Sequence, residues 1–484
     1  MWDLSSNIFY GAGAWDSLDY SGVELTFDGV VISNASQIVG QSGHGKGYKW
    51  MAKGAKFYAN NYMIMRGANN HANRSAEDWS LFEFSDGSEI HAPNLFGNRD
   101  TDTPLDQNCT IRFSGEGTRA KIRSTFEPGR KSSGYHVEIV DGATVECGQW
   151  KVGNDSANAN SNTVLVAAGG LLRAPGQEGL IGEKGSFNAV TVSNGTLSAK
   201  TVRLGTVAGS SNNVLRIAGA AASLVMSGWS WTPFGPSSGN TVVIDDHANI
   251  GIRDGSQLAF CLNDATPSTN NTFRVENGAT FTTRYVYPAK VAGSTGNLVS
   301  VGADATLDIF DLNLSANSGN ELVISNGTVR YSGDYGFFIG GDAATGKGNV
   351  CRVKGPRAKI RSTNDSDSKK FFSTFRNGAL LEFDVSEFVE ANAEPIFDVR
   401  NFGMNAGTTL SVVGVEAMQK RIARTTTLVL AQVPEGTRLS IDADVLAAAQ
   451  AALPPRCSLS VSADGRQLRF RAKRLNVGAL VIIR

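Results

Sequence analysis

The stretch NSGNELVISNGTV, residues 317–329, contains the pattern that predicts the fold. Gly319-Asn320 precedes an apolar alternation, Leu322 and Ile324, and Asn326-Gly327 closes it. Strict period-two alternation of such residues is typical of a strand that buries one face. Glycine and asparagine tolerate the positive φ angles that tight corners require. The stretch therefore predicts a short strand bounded by two corners.

The same pattern recurs along the chain at intervals of 23 to 31 residues. Its repeated anchor is an asparagine, found at Asn162, Asn188, Asn213, Asn240, Asn271, Asn297, Asn320 and Asn349. The second and fourth residues after each anchor are apolar: Val164 and Val166, Val190 and Val192, Leu215 and Ile217, Val242 and Ile244, Phe273 and Val275, Val299 and Val301, Leu322 and Ile324, Cys351 and Val353. A further apolar residue follows each corner, at Leu171, Leu197, Ile250, Phe281, Leu307 and Val329. Because one unit cannot bury its apolar face alone, neighbouring units are expected to stack.

A repeat of about 25 residues with two or three short strands favours a parallel β-solenoid. Propeller blades need about 40 residues or more, and leucine-rich repeats need their own consensus. A meander of hairpins would use the same Asn-Gly turns, but like residues at like offsets favour stacked coils. We therefore predict an all-β chain in which Val192, Ile217 and Ile244 stand in one interior column.

Three regions are predicted along the chain. An N-terminal cap with the first irregular coils covers 1–107, the regular parallel β-helix covers 108–400, and a small C-terminal β-rich cap covers 401–484. The nonamer GTRAKIRST of 117–125 returns as GPRAKIRST at 355–363, which indicates related coils.

The predicted C-terminal cap carries its own signals. Asp442 or Asp444 is expected to cap one short helix that ends before Pro454-Pro455. Asp464-Gly465 predicts a hairpin between two alternating strands. The final GALVIIR, 478–484, is expected to be a buried strand.

Charge and cysteine usage limit the kinds of partner and metal site that we expect. The chain has 45 Lys and Arg against 45 Asp and Glu, so we expect no general attraction for nucleic acid or membrane. The five cysteines, Cys109, Cys147, Cys261, Cys351 and Cys457, lack metal-site spacing and are interpreted as buried hydrophobes. The start, Met1-Trp2-Asp3-Leu4, is unlike an export signal, and no stretch approaches the ~18 apolar residues of a membrane helix. A soluble chain is expected, with any export signal outside it.

The units FNAVTVSNGTLSAKTVRLG (187–205) and GNELVISNGTV (319–329), with the turn at 353–360, resemble passenger repeats of autotransporter-type β-helix proteins. The likeness covers about residues 108–390, and it implies a right-handed parallel β-helix of the pectin-lyase-like kind. It also implies a secreted or surface-displayed, non-enzymatic, adhesin-like rod that contacts glycans or surface proteins. The chain's end lacks the amphipathic strands of a translocator barrel, so self-translocation is not expected. The oligomeric state is left open, and a trimeric tail-spike-like protein is a third hypothesis.

The alternative function is a polysaccharide lyase or glycoside hydrolase that acts on acidic glycans in a lateral groove. Asp245, Asp246 and His247 are the catalytic candidates, because paired carboxylates can protonate a leaving oxygen and activate water. However, Gly43-His44-Gly45 precedes them, in the reverse of the order expected for polygalacturonase-like sites. Their other interpretation is solvated corner residues just past a strand.

No cofactor is predicted, and loosely bound calcium is the only metal considered. The loops NDSDSKK (364–370) and NRDTDTPLD (98–106) carry carboxylates but no full ligand set, so polar loops are the simpler interpretation. The string Gly235-Pro236-Ser237-Ser238-Gly239 matches a serine-hydrolase motif, but a strand follows it where that motif needs a helix.

Alternating aromatic residues supply the candidate ligand-binding set: Trp229, Trp231, Tyr285 and Tyr287, flanked by Arg284, with Phe337 nearby. If the rings face outward, they form a stacking surface for sugars; if they face inward, they fill the core. The spacing leaves both open. The cations Arg466, Arg469, Arg471, Lys473 and Arg474 decorate the predicted C-terminal hairpin. Alternation makes most of them a solvated strand face, and binding of a nucleic acid or an anionic glycan is the second interpretation.

Overall fold

The computed structural model of the chain describes residues 24–34, 37–40, 49–65, 80–97, 106–228, 230–252, 257–259, 267–288, 291–314, 317–333, 336–341, 347–363, 373–376 and 378–475. The chain is all-β, 53% strand and 4% helix, and its parallel strands stack as a β-solenoid of about 12 turns. This confirms the predicted fold class, whereas the handedness of the coil and the three-region division stay predictions. By its internal contacts the chain divides into two compact units, Met1–Arg253 and Asp254–Arg484.

The first unit consists of short strands separated by tight corners. They are β1 (Glu24–Asp28), β2 (Val31–Asn34), β3 (Gln37–Gly40), β4 (Lys49–Lys53), β5 (Lys56–Ala59), β6 (Tyr62–Met65), β7 (Ser80–Ser85), β8 (Glu89–Ala92), β9 (Asn94–Phe96), β10 (Asp106–Ser114), β11 (Arg119–Glu127), β12 (Ser133–Val140), β13 (Thr144–Val152), β14 (Thr163–Ala167), β15 (Leu171–Ala174), β16 (Gly179–Ile181), β17 (Ala189–Ser193), β18 (Thr196–Ala199), β19 (Val202–Leu204), β20 (Val214–Ala218), β21 (Ser223–Met226), β22 (Ser230–Trp231), β23 (Thr241–Asp245) and β24 (Asn249–Gly251).

Strands of the first unit pair with the equivalent strand one coil away, so sheets run across the coils. One sheet has the order β1-β4-β7-β10-β12-β14-β17-β20-β23, and a second has β2-β5-β8-β11-β13-β15-β18-β21. Two further groups of paired strands are β3-β6-β9 and β13-β16-β19. The coil pattern is already present in the region predicted to be irregular, because β4 pairs in parallel with β1 and β7.

The second unit repeats this plan and adds two helices. Its elements are β25 (Gln257–Ala259), β26 (Thr272–Val275), β27 (Thr280–Tyr287), β28 (Leu298–Val301), β29 (Thr306–Leu314), β30 (Glu321–Ser325), β31 (Thr328–Tyr331), β32 (Phe337–Ile339), β33 (Val350–Lys354), β34 (Lys359–Ser362), β35 (Ser373–Phe375), β36 (Leu380–Asp384), β37 (Phe397–Asp398), β38 (Phe402–Met404), β39 (Thr409–Val413), α1 (Val415–Arg421), β40 (Thr426–Gln432), β41 (Ser440–Ile441), α2 (Ala443–Ala451), β42 (Cys457–Val461) and β43 (Gln467–Ala472). The sheets run β26-β28-β30-β33-β36-β39, β27-β29-β31-β34-β37-β40 and β29-β32-β35-β38-β41.

The predicted interior columns are confirmed. Val192 is opposite Ile217, and Ile217 is opposite Ile244, in parallel register. Every apolar residue predicted at the second and fourth positions after an anchor is buried. One position after a corner is wrong: Leu171 is half-buried, and Leu172 takes the core place opposite Leu197. The reason is the pleat, since a shift of one residue moves a side chain to the other face.

The C-terminal region differs from the prediction in two ways. The coils continue past residue 400, because β39 pairs in parallel with β36. The region holds two helices instead of one, and α1 was missed because its seven residues after the left-handed Gly414 are too few for a periodic pattern. Asp442 does cap α2, accepting hydrogen bonds from the amides of Asp444 and Val445.

The hairpin around Asp464-Gly465 is confirmed, with β42 antiparallel to β43. The predicted final strand, 478–484, lies outside the described residues. Cys109, Cys147 and Cys351 are buried free thiols whose pKa values are raised by burial, as expected of buried hydrophobes. Cys457 is half-buried, and Cys261 lies outside the described residues.

The anchor asparagines form ladders inside the coils. All eight anchors are fully buried. Asn213 Oδ1 accepts from the Asn188 amide at 3.0 Å, and Asn240 Oδ1 accepts from the Asn213 amide at 2.9 Å. In the second unit Asn320 Oδ1 accepts from the Asn297 amide at 3.1 Å. Each side chain thus satisfies a buried amide of the coil beside it, a role that the corner chemistry did not predict.

The residue before each anchor adopts a positive φ angle, and Phe187 is an unusual occupant. Its φ is 59°, whereas Gly239 has 71° and Asn212 has 57° at the same place in other coils. A left-handed conformation costs a residue such as phenylalanine about 1–2 kcal/mol. Phe187 is also 60% exposed, so burial of its ring contributes little to the stability of the fold.

Phe187→Asn is expected to stabilise the protein by about 0.5–1 kcal/mol, because asparagine tolerates this conformation. The urea midpoint of unfolding measures the change. Phe187→Ala is the control and should give no such gain, since alanine keeps the left-handed penalty. Lower stability for both variants would contradict the prediction and indicate that the ring packs against its neighbours.

Candidate functional site

An outward group of aromatic side chains lies on β27 and β29 of the second unit. Along β27, Thr283 and Val286 are both buried, so the alternation breaks between them and two consecutive side chains, Arg284 and Tyr285, face solvent. Tyr287 follows, also half-buried. On the paired strand β29, Phe310 is half-buried between core residues. We call Arg284, Tyr285, Tyr287 and Phe310 the aromatic platform.

The rings and the guanidinium of the aromatic platform contact one another. Tyr285 and Tyr287 stack with centroids 5.9 Å apart and planes 20° apart. Tyr285 meets Phe310 edge-on, at 5.8 Å and 81°. The Arg284 guanidinium carbon lies 5.2 Å from the Tyr285 centroid and 4.9 Å from that of Phe310, within the range of cation–π attraction. The arrangement orders an apolar surface with hydrogen-bond donors at its edge.

The tryptophans do not belong to this surface. Trp231 is 1% exposed, and its Nε1 donates a hydrogen bond to the Val202 carbonyl at 2.8 Å. The outward alternative is therefore wrong for Trp231, which fills the core of the first unit. Trp229 lies outside the described residues.

The third predicted aromatic position is also inward. Phe337 is fully buried and packs near Tyr331 and Phe375. Its neighbour Phe338 is the half-buried outward residue, and the Arg376 guanidinium lies 5.1 Å from its ring centroid. The period-two pattern shows that Phe337 and Phe338 face opposite sides of the strand, but it does not show which of them faces solvent. The pairing of Phe338 with Asn313 of β29 places Phe338 on the outward side.

Asp245, Asp246 and His247 form the corner after β23. The Asp245 carboxylate is 7% exposed and accepts hydrogen bonds from Arg216 Nη2 at 2.6 Å and Nε at 3.1 Å. Its other oxygen accepts from the Asp246 amide at 2.8 Å. Asp246 and His247 are exposed and have φ angles of 48° and 62°. These contacts give Asp245 a structural task, and the catalytic role of the three residues stays a prediction.

A buried ionic group in the first unit was missed by sequence reasoning. Glu127 at the end of β11 is 4% exposed, and Arg130 Nε lies 3.1 Å from its Oε2. The same Nε–H donates to Asp155 Oδ2 at 2.7 Å, and Lys151 Nζ donates to Glu183 Oε2 at 3.3 Å. We call these five residues the Glu127 cluster. They are drawn from three coils, so no local spacing reveals them.

Burial raises the pKa of Glu127, whereas the charges of Arg130 and Lys151 lower it. Asp155 and Glu183 act in the same direction as burial. A perturbed carboxyl beside a second carboxylate is a feature of catalytic sites. Glu127, however, is buried, with 4% of its surface exposed, and its nearest charged neighbour is a side chain of the same unit. The Glu127 cluster therefore serves to hold the coils together.

Other features of the described residues are modest. A shallow depression of about 260 Å³ is lined by Gly117 to Lys121, Thr144 and Glu146. Within the described ranges no three His, Cys, Asp or Glu side chains converge as a metal site. The loops 364–370 and 98–105, where calcium was considered, lie outside them. Neither described helix is long and apolar enough to span a membrane.

Comparison with protein-family models, with curated proteins and with solved structures finds no match for this chain.

Proposed function

We propose that this protein is a non-enzymatic β-solenoid, secreted or displayed at a cell surface like the autotransporter passengers that it resembles, and that its aromatic platform contacts glycans. The observation that carries the proposal is the Arg284 guanidinium in cation–π range of both Tyr285 and Phe310, with Tyr287 stacked on Tyr285. These side chains face solvent although the same rings in the core would bury more apolar surface.

The chemistry of the platform suits a sugar. The C–H face of a pyranose packs on an aromatic face, while the hydroxyls around the ring need hydrogen-bond partners. Tyr285 and Tyr287 combine an apolar ring with a polar tip, and Arg284 presents several donors in a planar fork. Because Arg284 is already held by two rings, little side-chain freedom is lost on binding.

The double variant Tyr285→Ala/Tyr287→Ala is expected to weaken glycan retention at least about tenfold, since stacked rings contribute about 0.5–1.5 kcal/mol each beyond their buried area. Its melting temperature should change little, because both rings are outward. Affinity electrophoresis against a panel of neutral and acidic polysaccharides, with a parallel melting curve, measures both.

Tyr58→Ala is the matched control, because Tyr58 is a half-buried outward tyrosine of the first unit that stacks on His91 at 4.8 Å. Equal loss of retention in this control would contradict a specific platform. The same panel, assayed for new reducing ends and unsaturated uronates, tests the lyase or hydrolase alternative. Turnover that Asp245→Asn abolishes would replace the non-enzymatic proposal.

A further inference from the structure

The C-terminal hairpin carries a row of cations on one face. Strand β43 is the middle strand of an antiparallel group, with β40 on one side and β42 on the other. Leu468, Phe470 and Ala472 are fully buried, whereas Arg469, Arg471 and Lys473 are exposed. Successive members of this row are two residues apart, or about 6.8 Å along an extended strand. We call Arg469, Arg471 and Lys473 the basic row.

The neighbours of the basic row are neutral, and all but Val429, which is opposite Arg469 on β40, carry hydroxyl groups. Arg471 is opposite Thr427 on β40 and Ser458 on β42, and Arg469 is opposite Ser460. The backbone of Lys473 bonds to that of Arg456, another exposed cation. Strand β43 thus presents two positive charges beside hydroxyl groups, Lys473 directly after the strand adds a third, and Arg456 adds a fourth.

Asp464 interacts electrostatically with Arg469 without forming an ion pair, and the basic row keeps an excess of positive charge. Among the described residues, Arg469, Arg471 and Lys473 form no ion pair. Asp464, the acidic residue nearest in sequence, is held in the hairpin turn by the Ser462 hydroxyl and the Arg466 amide. Residues 401–475 contain ten Lys and Arg against five Asp and Glu, although the whole chain is balanced. The positive charge is therefore concentrated in this region.

We propose that the basic row is a binding site for an acidic polysaccharide, a chain that repeats carboxylate or sulfate groups. Regularly spaced cations on a strand match regularly spaced anions, and the arginines bind carboxylate or sulfate oxygens in a planar fork. Thr427, Ser458 and Ser460 supply hydroxyl partners for the sugar. The site is separate from the aromatic platform and does not rest on its function.

A nucleic acid is the competing polyanion, and the face favours the polysaccharide. Single strands are usually held by aromatic side chains that stack on the bases. The described outward positions of β40, β42 and β43 carry none: they are Thr427, Val429, Gln432, Ser458, Ser460, Gln467, Arg469 and Arg471. The hydroxyl groups of Thr427, Ser458 and Ser460 can instead form hydrogen bonds with sugar hydroxyls.

The test is binding of the full chain to immobilised polygalacturonate, with neutral dextran and double-stranded DNA as competitors. Arg469→Ala/Arg471→Ala/Lys473→Ala should weaken binding at least about tenfold and flatten its salt dependence, because fewer counterions are released. The control Lys121→Ala/Arg123→Ala/Lys200→Ala removes the same charge from exposed positions of the first unit and should bind normally.

Several outcomes would overturn the proposal: no retention of the wild type, equal loss in the control, or displacement by double-stranded DNA at lower charge equivalents than by free polygalacturonate. If the triple variant loses stability, the single variant Arg471→Gln decides, since glutamine keeps the outward position and removes one charge. Unchanged binding and salt dependence in Arg471→Gln would then reject the basic row.

Discussion

Replacing Asn213 with leucine is expected to lower the free energy of unfolding of the first unit by about 4 kcal/mol. Asn213 is fully buried, and its Oδ1 accepts from both the amide and the Nδ2 of Asn188, at 3.0 and 3.1 Å. Leucine has a similar shape but accepts nothing, so the buried donors of Asn188 lose their partner. Each orphaned donor costs about 1–3 kcal/mol.

The hydrogen bonds that the Asn213 side chain donates are lost as well. Asn213 Nδ2 donates to Asn240 Oδ1 at 3.0 Å and to the Gly185 carbonyl at 3.3 Å. The site has no room to adjust, because a Cβ placed on Gly182 would lie 2.2 Å from Asn213 Oδ1. The methyl groups of leucine need more room than the amide oxygen and nitrogen of Asn213, so they press on the backbone at Gly182.

The urea midpoint and limited proteolysis measure this effect, since a coil opened in the middle of a solenoid exposes its corners to protease. Asn212→Gly is the matched control: Asn212 is the exposed preceding residue, with φ 57°, and the variant should stay within about 0.5 kcal/mol of wild type. Equal stability of the two variants would show that the ladder carries no net free energy.

The repeat was predictable because its signal is local and recurs. Val190 and Val192 fix a strand by themselves, and the return of the same offsets in the next coil leaves parallel stacking as the simplest way to bury them. The ladder role of the anchors was not predictable, because asparagine before a strand is equally suited to a turn. Only the distance between coils shows that its side chain spans them.

The candidate site was predicted in part, and the failures share one cause. Period-two alternation gives two faces but does not say which is outward where a strand turns a corner. Arg284 and Tyr285 both face solvent because the strand bends between Thr283 and Val286. Trp229 and Trp231 are two residues apart, as Tyr285 and Tyr287 are. The Trp231 indole nevertheless donates a hydrogen bond to the Val202 carbonyl inside the coil. Such bends depend on contacts between coils.

The Glu127 cluster could not be predicted from local sequence at all, since its members come from different coils. Arg130→Ala is expected to destabilise the first unit by about 3 kcal/mol at neutral pH. Removing one partner of a buried ion pair leaves an uncompensated charge, which typically costs 3–5 kcal/mol, and the lower value applies because the Arg130 side chain is 27% exposed.

The stability lost by Arg130→Ala should depend on pH in a defined direction. Burial raises the pKa of Glu127 in the folded protein, and Arg130 opposes that shift. Without Arg130 the folded pKa rises further above the value of 4.5 for the free group, so the folded variant holds its proton where the unfolded chain releases it. Stability of the variant relative to wild type is therefore nearly kept below pH 4.5 and falls as the pH rises through the raised folded pKa.

Glu127→Gln separates this electrostatic effect from lost packing of Arg130 on Phe96, whose ring centroid lies 4.8 Å from the guanidinium. In the Glu127→Gln background the Arg130→Ala loss should shrink to that packing contribution and to the bond with Asp155. Its pH dependence should largely disappear, because glutamine at position 127 has no proton to release. Urea midpoints of the four proteins from pH 3.5 to 7.5, a range set around that free-group value, complete the cycle. A loss from Arg130→Ala that is the same at every pH, or the same with Gln at position 127, would show that the buried carboxyl does not depend on this arginine.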